Sequence, residues 1–332
     1  MMDLLKRVEQ DIGTQGLIAP GDTVLMGVSG GADFVCLFHI LYRLYHEGGV
    51  SLYVMHVHHH LRAEADAEAL YAEALCRRYG VPYRQADVHV EKYLAESGIS
   101  STEEAARNLR YEALTAYLAE LPGTEAAKKL AVAHTLNDNA ETVLHHLFRG
   151  TGLRGLGGIQ AGRGQIIRPL LSVSRAEVEA YLTAQGIGWC TDSSNEGDDY
   201  ARNRIRHHIL PMAEQEVNAQ AAEHIHAAAR QLSAAEDYIF AQVREAYGHL
   251  VSAQEDGVRI ARKEFMALHP YLQERLALYC MQQVCGSARD ITAKHVRIFL
   301  GLFAMPAGKM LDLPHRLFAK RQREYIELLR KN

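Results

Sequence analysis

Nothing in the 332-residue sequence approaches the roughly 18 consecutive apolar residues that span a bilayer. The opening MMDLLKRVEQD is amphipathic and acidic, whereas a secretory signal is basic and then apolar. Neither a membrane protein nor an exported one is expected, and the expected location is the cytoplasm. Cysteine is scarce: Cys36, Cys76, Cys190, Cys280 and Cys285 are odd in number, scattered and without a CxxC pair. That argues against a disulfide framework and a thiolate metal site, and for reduced, mostly buried thiols. Positive charge is not in excess either. A formal net charge of -4 excludes a chain that grips nucleic acid by overall charge and leaves only local basic faces for that purpose. Internal repeats and low-complexity linkers are absent.

What is present is the composition of a globular protein, 48% hydrophobic and 23% charged, with length enough for two domains. Apolar runs at 23 to 28, 51 to 57, 82 to 88 and 129 to 134 alternate with segments of helical period. The pattern predicts βαβ units, hence an α/β domain with a parallel sheet covered by helices on both faces. Helices are expected over Asp66 to Tyr79 and, from the Ser101-x-x-Glu104 capping pattern, from there to about Leu121. A glycine-rich stretch from Gly150 to Gly164 predicts a long functional or flexible loop. It is followed by a strand over Ile166 to Leu171 and a helix over Ser174 to Gln185. From about Pro211 the composition shifts to Ala, Gln and Glu, predicting long helices to 247, more near 269 to 285 and 292 to 303, and short terminal strands after 308. The expected division is 1–211 and a smaller, mainly helical 212–332.

The segment GVSGGADFVC (27–36) lies between a strand-like and a helix-like run, where backbone N–H groups and a helix dipole converge on one point. A Walker A lysine is missing, and the glycines do not fit G-x-G-x-x-G. Ser29-Gly30-Gly31-Ala32-Asp33 instead resembles the PP-loop of ATP pyrophosphatases: Ser29 to donate to phosphate, glycines to let backbone approach, Asp33 to hold Mg²⁺ or fix the loop. In AVAHTLNDNAETVLHHLFRGTG (131–152), a helix from about Asn137 puts Asp138, Glu141, His145 and Arg149 on one face and Ala140, Val143, Leu144, Leu147 and Phe148 in the core stripe. Two carboxylates there can bind a metal or an ammonium group and accept a proton; the plain alternative is a solvated face with Asp138 as a helix-start residue.

Five motifs in order, SGGAD, HHHLRAEADAEA, EEAARNLRYEAL, AHTLNDNAET and SNEGDDYARNRIRHHILP, resemble the tRNA(Ile)-lysidine synthetases over most of residues 20 to 211. The resemblance implies a ligase that uses ATP to adenylate C2 of the wobble cytidine of tRNA(Ile) with a CAU anticodon, then lets free L-lysine displace AMP. It places Ser29, Gly30, Gly31, Ala32, Asp33 and Phe34 at the pyrophosphate, with Asp33 also at Mg²⁺, and His59 and Arg62 beside the nucleotide. Asp33, Arg107, His134, Asp138, Glu141 and Arg202 would form the reaction centre; Arg110, Asn137, Arg149 and Arg206 would bind substrate. For Arg107 and Arg110 the plain alternative is surface pairing with Glu103 or Glu104, and for the 202–208 run a solvated basic helix.

Phe34 departs from the family pattern, which has a second hydroxyl there. Losing a hydrogen bond to charged phosphate typically costs about 1.5 to 3 kcal/mol, and a ring beside the loop could also block the anion. The expectation is weakened ATP handling. Longer relatives carry a further C-terminal domain, so tRNA discrimination is expected to rest on the second domain or on a homodimer partner. Two competing readings are a binding-only PP-loop protein, favoured by Phe34 and opposed by the carboxylates, and a PP-loop tRNA thiolase, opposed by the absence of a suitably spaced cysteine pair. His56, His58 and His60 alternate along a strand, but their own run supplies no Cys or carboxylate at ligand spacing, so zinc is not expected there.

Overall fold

The computed structural model describes residues 3–28, 30–60, 64–99, 101–190, 201–286 and 291–331. The chain divides into two compact units, Met1–Ser233 and Ala234–Asn332. In the first, α1 (Leu4–Thr14), β1 (Thr23–Val28), α2 (Ala32–Tyr45), β2 (Ser51–His58), α3 (Glu64–Tyr79), β3 (Tyr83–Asp87), α4 (Val90–Ser97), α5 (Thr102–Glu120) and β4 (Lys128–Ala131) are followed by α6 (Leu136–Arg149) and the short α7 (Leu153–Leu156). Then come β5 (Gly162–Arg163), β6 (Ile166–Ile167), α8 (Arg175–Gln185) and α9 (Ala201–Arg204), which runs through a π turn at Ile205–Ile209 into α10 (Leu210–Glu216). The long α11 (Ala221–Leu250) begins in this unit and continues into the second.

The sheet order is β3-β2-β1-β4-β6-β5, parallel except for β5. Because strands buried on both faces have no solvent side, β1 reads as an unbroken apolar run. Val24, Met26 and Val28 face a core shared with α1, α2, α3 and α8. Leu25 faces the other core, with Met55, Val57 and Leu130 against Leu114 and Leu118 of α5. Gly27 lets α5 come this close, since a Cβ there would meet Leu114 at 3.0 Å. From β1 the chain winds outward to β2 and β3, then crosses back to β4 on the other side of β1. The order reverses between β1 and β4, and the crevice beyond their carboxyl ends is where such sheets bind ligands.

The strand expected over Ile166 to Leu171 is only two residues long, because Pro169 has no N–H to give a ladder. Leu147 and Phe148, expected in the core stripe of α6, are 51% and 60% exposed; burial ends at Val143. A periodic pattern gives a helix its apolar face but not the length of surface that covers it.

In the second unit, β7 (Val251–Gln254), β8 (Gly257–Ala261), β9 (Met310–Leu313), β10 (Leu317–Arg321) and β11 (Tyr325–Arg330) form an antiparallel sheet of order β7-β8-β11-β10-β9. It packs with α12 (Arg262–Ala267), α13 (Pro270–Cys285) and α14 (Ala293–Ala304) around Ile260, Phe265, Phe299, Phe303 and Ile326. The hairpin β7–β8 adds two strands to the terminal ones expected from sequence. No helix among the described residues is long and apolar enough to cross a membrane.

Candidate active site

One wall of the β1–β4 crevice is the turn into α2. Gly30 sits at φ +77, and a Cβ there would lie 2.8 Å from Cβ of Glu68 on α3, so both conformation and space require glycine. Gly31 caps α2 without a side-chain bond, and the first intrahelical bond in this turn runs from Val35 N–H to the Gly31 carbonyl. The N–H groups of Ala32, Asp33 and Phe34 therefore have no helical acceptor, as at any helix start, and together with the dipole they form an anion cradle. Gly30→Ala is expected to cost at least about 1 to 2 kcal/mol from the left-handed backbone alone, with the Glu68 clash added; a melting curve checks it.

Asp33, one residue inside α2, has a buried Oδ1 with no hydrogen-bond partner among the described residues. Burial raises its pKa to about 6, with the Asp138 charge adding to the effect and Arg175 and Arg206 opposing it. A buried carboxylate oxygen without a partner, close to a second carboxylate, suits a hard divalent cation.

The opposite wall follows β4. Thr135 caps α6 in a full capping box: its N–H and hydroxyl both donate to Asp138 Oδ2, at 2.9 and 3.0 Å. Asp138 is thus a helix-start residue, yet its Oδ1 is left for other work and accepts from Nη2 of Arg202 at 3.0 Å and of Arg206 at 3.1 Å. One turn on, Glu141 is only 2% exposed. It accepts from Arg202 Nε at 2.9 Å and from Arg206 Nε at 2.6 Å. The π turn after Arg204 closes with Leu210 N–H on the Ile205 carbonyl, and such turns recur at functional sites. Burial pushes the Asp138 carboxyl up, but Arg202, His134, the Thr135 N–H and Arg206 prevail and hold it below the usual range. Asp33, Thr135, Asn137, Asp138, Glu141, Arg175, Arg206 and Glu214 line a cavity of about 140 Å³ together with Leu210 and Pro211.

His134 borders this cluster. Its Nδ1 accepts from Arg168 Nε at 3.1 Å, leaving the proton of the neutral ring on Nε2. Burial, with Arg168, Arg202 and Arg107 helping and Asp138 opposing, lowers its pKa to about 4. The folded state holds this ring neutral, so its contribution is intact above about pH 6.5 and is lost as the pH falls towards 4, at up to about 1.4 kcal/mol per pH unit. His134→Gln is expected to flatten the acid limb of stability against pH in that window, as measured by urea titrations at several pH values.

Among the expected site residues, Asp33, Asn137, Asp138, Glu141, Arg202 and Arg206 converge with His134 beside them. Asn137 also has a structural task, since its Oδ1 takes the N–H of Arg175 at the start of α8. His59 lies with Arg110 on the β2 side, Nε2 to Nη2 3.5 Å, and Arg107 is exposed over the Tyr111 ring. Arg149 ends α6, eleven residues and about 16 Å along the axis from Asp138. Phe34 is 1% exposed and packs on Phe38, so its ring turns into the core and not into the anion cradle. Ser29 and Arg62 lie outside the described residues. Sequence reading missed Arg168 and Arg175, which lie in no motif, and Glu68, which lies within HHHLRAEADAEA but was given no role there. It also missed Asn139, whose Oδ1 takes the Ile159 N–H at 2.6 Å and whose Nδ2 meets His226 at 2.8 Å. Through Asn139 the glycine-rich loop is tied to the back of α6.

A family model described as a PP-loop domain matches residues 4–213. The tRNA(Ile)-lysidine synthase of Dehalococcoides mccartyi is 38% identical over 327 residues, 95% of this chain and 68% of the relative. That of Clostridioides difficile is 34% identical over 329 residues, 98% of this chain and 70% of the relative. Among solved structures, a U34-tRNA thiolase from Methanococcus maripaludis aligns with TM-score 0.57 at 16% identity, over 69% of this chain and 77% of its own, a likeness of fold alone.

Proposed function

Because the chain belongs to the tRNA(Ile)-lysidine synthase family, we propose that it is a carbon–nitrogen ligase joining free L-lysine to C2 of the wobble cytidine of tRNA(Ile) with a CAU anticodon. ATP is consumed, and AMP and pyrophosphate are released. The observation that carries this reading is the crevice in which an anion cradle at α2 faces two carboxylates gripped by two arginines.

In the first step the cytidine O2 attacks the α-phosphorus of ATP, the bond to the β-phosphate oxygen breaks, and pyrophosphate leaves. Gly30, Gly31 and the N–H groups of Ala32 to Phe34 would take the leaving charge, with Ser29 donating and His59 and Arg62 beside the nucleotide. Asp33 would hold Mg²⁺, which when bound neutralises charge on the phosphates. In the second step the lysine Nζ attacks C2 and the C2–O bond breaks, so AMP departs with the oxygen. An amine of reference pKa about 10.4 must first lose a proton, and Asp138 and Glu141 would hold the ammonium and accept it. When they do, Arg202 and Arg206 are released from ion pairing and can turn to phosphate. His134, held neutral, can donate from Nε2. Arg107, whose charge reaches His134, would belong to the reaction centre; Arg110 and Arg149 would contact tRNA, as would residues 212–332 beyond a catalytic domain of 1–211, alone or in a homodimer. Phe34 would weaken ATP affinity by the missing hydroxyl.

Thiolase chemistry finds no support in the thiols. Burial pushes Cys36 and Cys76 to about 12, and Cys190 is also raised. Pyrophosphate release that depends on this tRNA, followed by lysine incorporation, is the expected result of assay. Release without incorporation would overturn the ligase reading, and neither would point to a binding-only protein.

A further inference from the structure

We propose that His58, His60 and Asp87 form a binding site for a borderline divalent transition ion of the zinc class, at the β2–β3 edge and apart from the β1–β4 crevice. The run around the histidines supplies no carboxylate at ligand spacing; the sheet does. In the parallel register of β2 and β3, His58 lies opposite Asp87, so a residue 29 positions away becomes a neighbour. One nitrogen from each histidine and one Asp87 oxygen all lie within 4.8 Å of one another. Nε2 of His60 is 2.9 Å from Asp87 Oδ1, and the two imidazole centroids are 4.2 Å apart.

The backbone is bent to make this set. His60 has φ +55, one of three non-glycine residues with positive φ among the described residues. That conformation costs about 1 to 2 kcal/mol, and strain of this kind gathers at ligand clamps. Nδ1 of His58 accepts a 3.2 Å bond from the His60 N–H, so it presents a lone pair to the turn. Its Nε2 lies 3.1 Å from Asp66 Oδ1 without a hydrogen bond between them, so this exposed carboxylate adds negative charge beside the set. An ion taking the Nδ1 lone pair would replace that one long bond. Two nitrogens and a carboxylate suit Zn²⁺, Co²⁺ or Ni²⁺, whereas Mg²⁺ prefers oxygen alone; water would complete the shell. This donor set separates the site from the Mg²⁺ position assigned to Asp33.

The test uses the full chain, stripped with chelator, desalted and titrated in excess Mg²⁺ with Zn²⁺ by calorimetry and with Co²⁺ by visible absorption. One ion per chain is expected, with the Co²⁺ bands of a mixed nitrogen–oxygen site. His60→Gly keeps the left-handed turn and Asp87→Asn keeps the shape, yet each should lower affinity at least about a hundredfold. His249→Ala, on an exposed histidine of the other unit, should titrate as the parent. Absence of a stoichiometric site, or a site that survives both His60→Gly and Asp87→Asn unchanged, would overturn the proposal.

Discussion

Asp138→Asn combined with Glu141→Gln is expected to slow the lysine-dependent step by about two to four decades, the usual worth of a positioned proton acceptor. The double variant removes both candidate acceptors, so it does not depend on how they share the work. Amides preserve the shape of both side chains and leave the Thr135 cap largely in place. They strip the counter-charge from Arg202 and Arg206, but these are 31% and 25% exposed, so water meets part of the need and the stability loss should fall short of the 3 to 5 kcal/mol typical of a broken buried pair. Rapid-quench assays on pre-adenylated tRNA, with a melting curve beside them, separate the two effects. A near-parental lysine step in a folded double variant would remove both carboxylates from the chemistry.

Phe34→Ser is expected to destabilise the protein by about 3 to 5 kcal/mol, because it empties the space of a fully buried ring that packs on Phe38. For a unit of this size that corresponds to a fall in Tm on the order of 10 °C. The same change restores a hydroxyl at the third residue of α2, worth about 1.5 to 3 kcal/mol if it reaches phosphate, or roughly one to two decades in ATP affinity. Since the ring faces inward, steric relief adds nothing to that figure. Assayed well below the new Tm, a lower KM for ATP identifies the missing hydroxyl as the source of weak binding. An unchanged KM shows that the cradle needs only its backbone and Asp33.

The parallel sheet was legible because strands buried on both faces leave long apolar runs, and the crevice because its walls follow β1 and β4. Thr135-x-x-Asp138 was legible as a helix start, and its second oxygen shows that the capping role and the candidate chemical role do not compete. Other features depend on distance in space. Arg168 and Arg175 reach the site from segments whose local pattern gives a strand and a helix but no sign of the site, the π turn leaves no period to detect, and Asp87 joins His58 only through strand register. The β7–β8 hairpin had a usable signal, Asp256-Gly257 between alternating residues, which the helical composition just before it concealed.

The central claim is that the crevice carries both adenylation and lysine transfer, and the mass of the tRNA tests it most directly. Incubation of the full chain with Mg²⁺-ATP, L-lysine and tRNA(Ile) bearing a CAU anticodon should raise the mass of the anticodon fragment by one lysine less one water, at the wobble cytidine alone. An unchanged fragment under saturating substrates, from protein shown to be folded and to bind the tRNA, would contradict it.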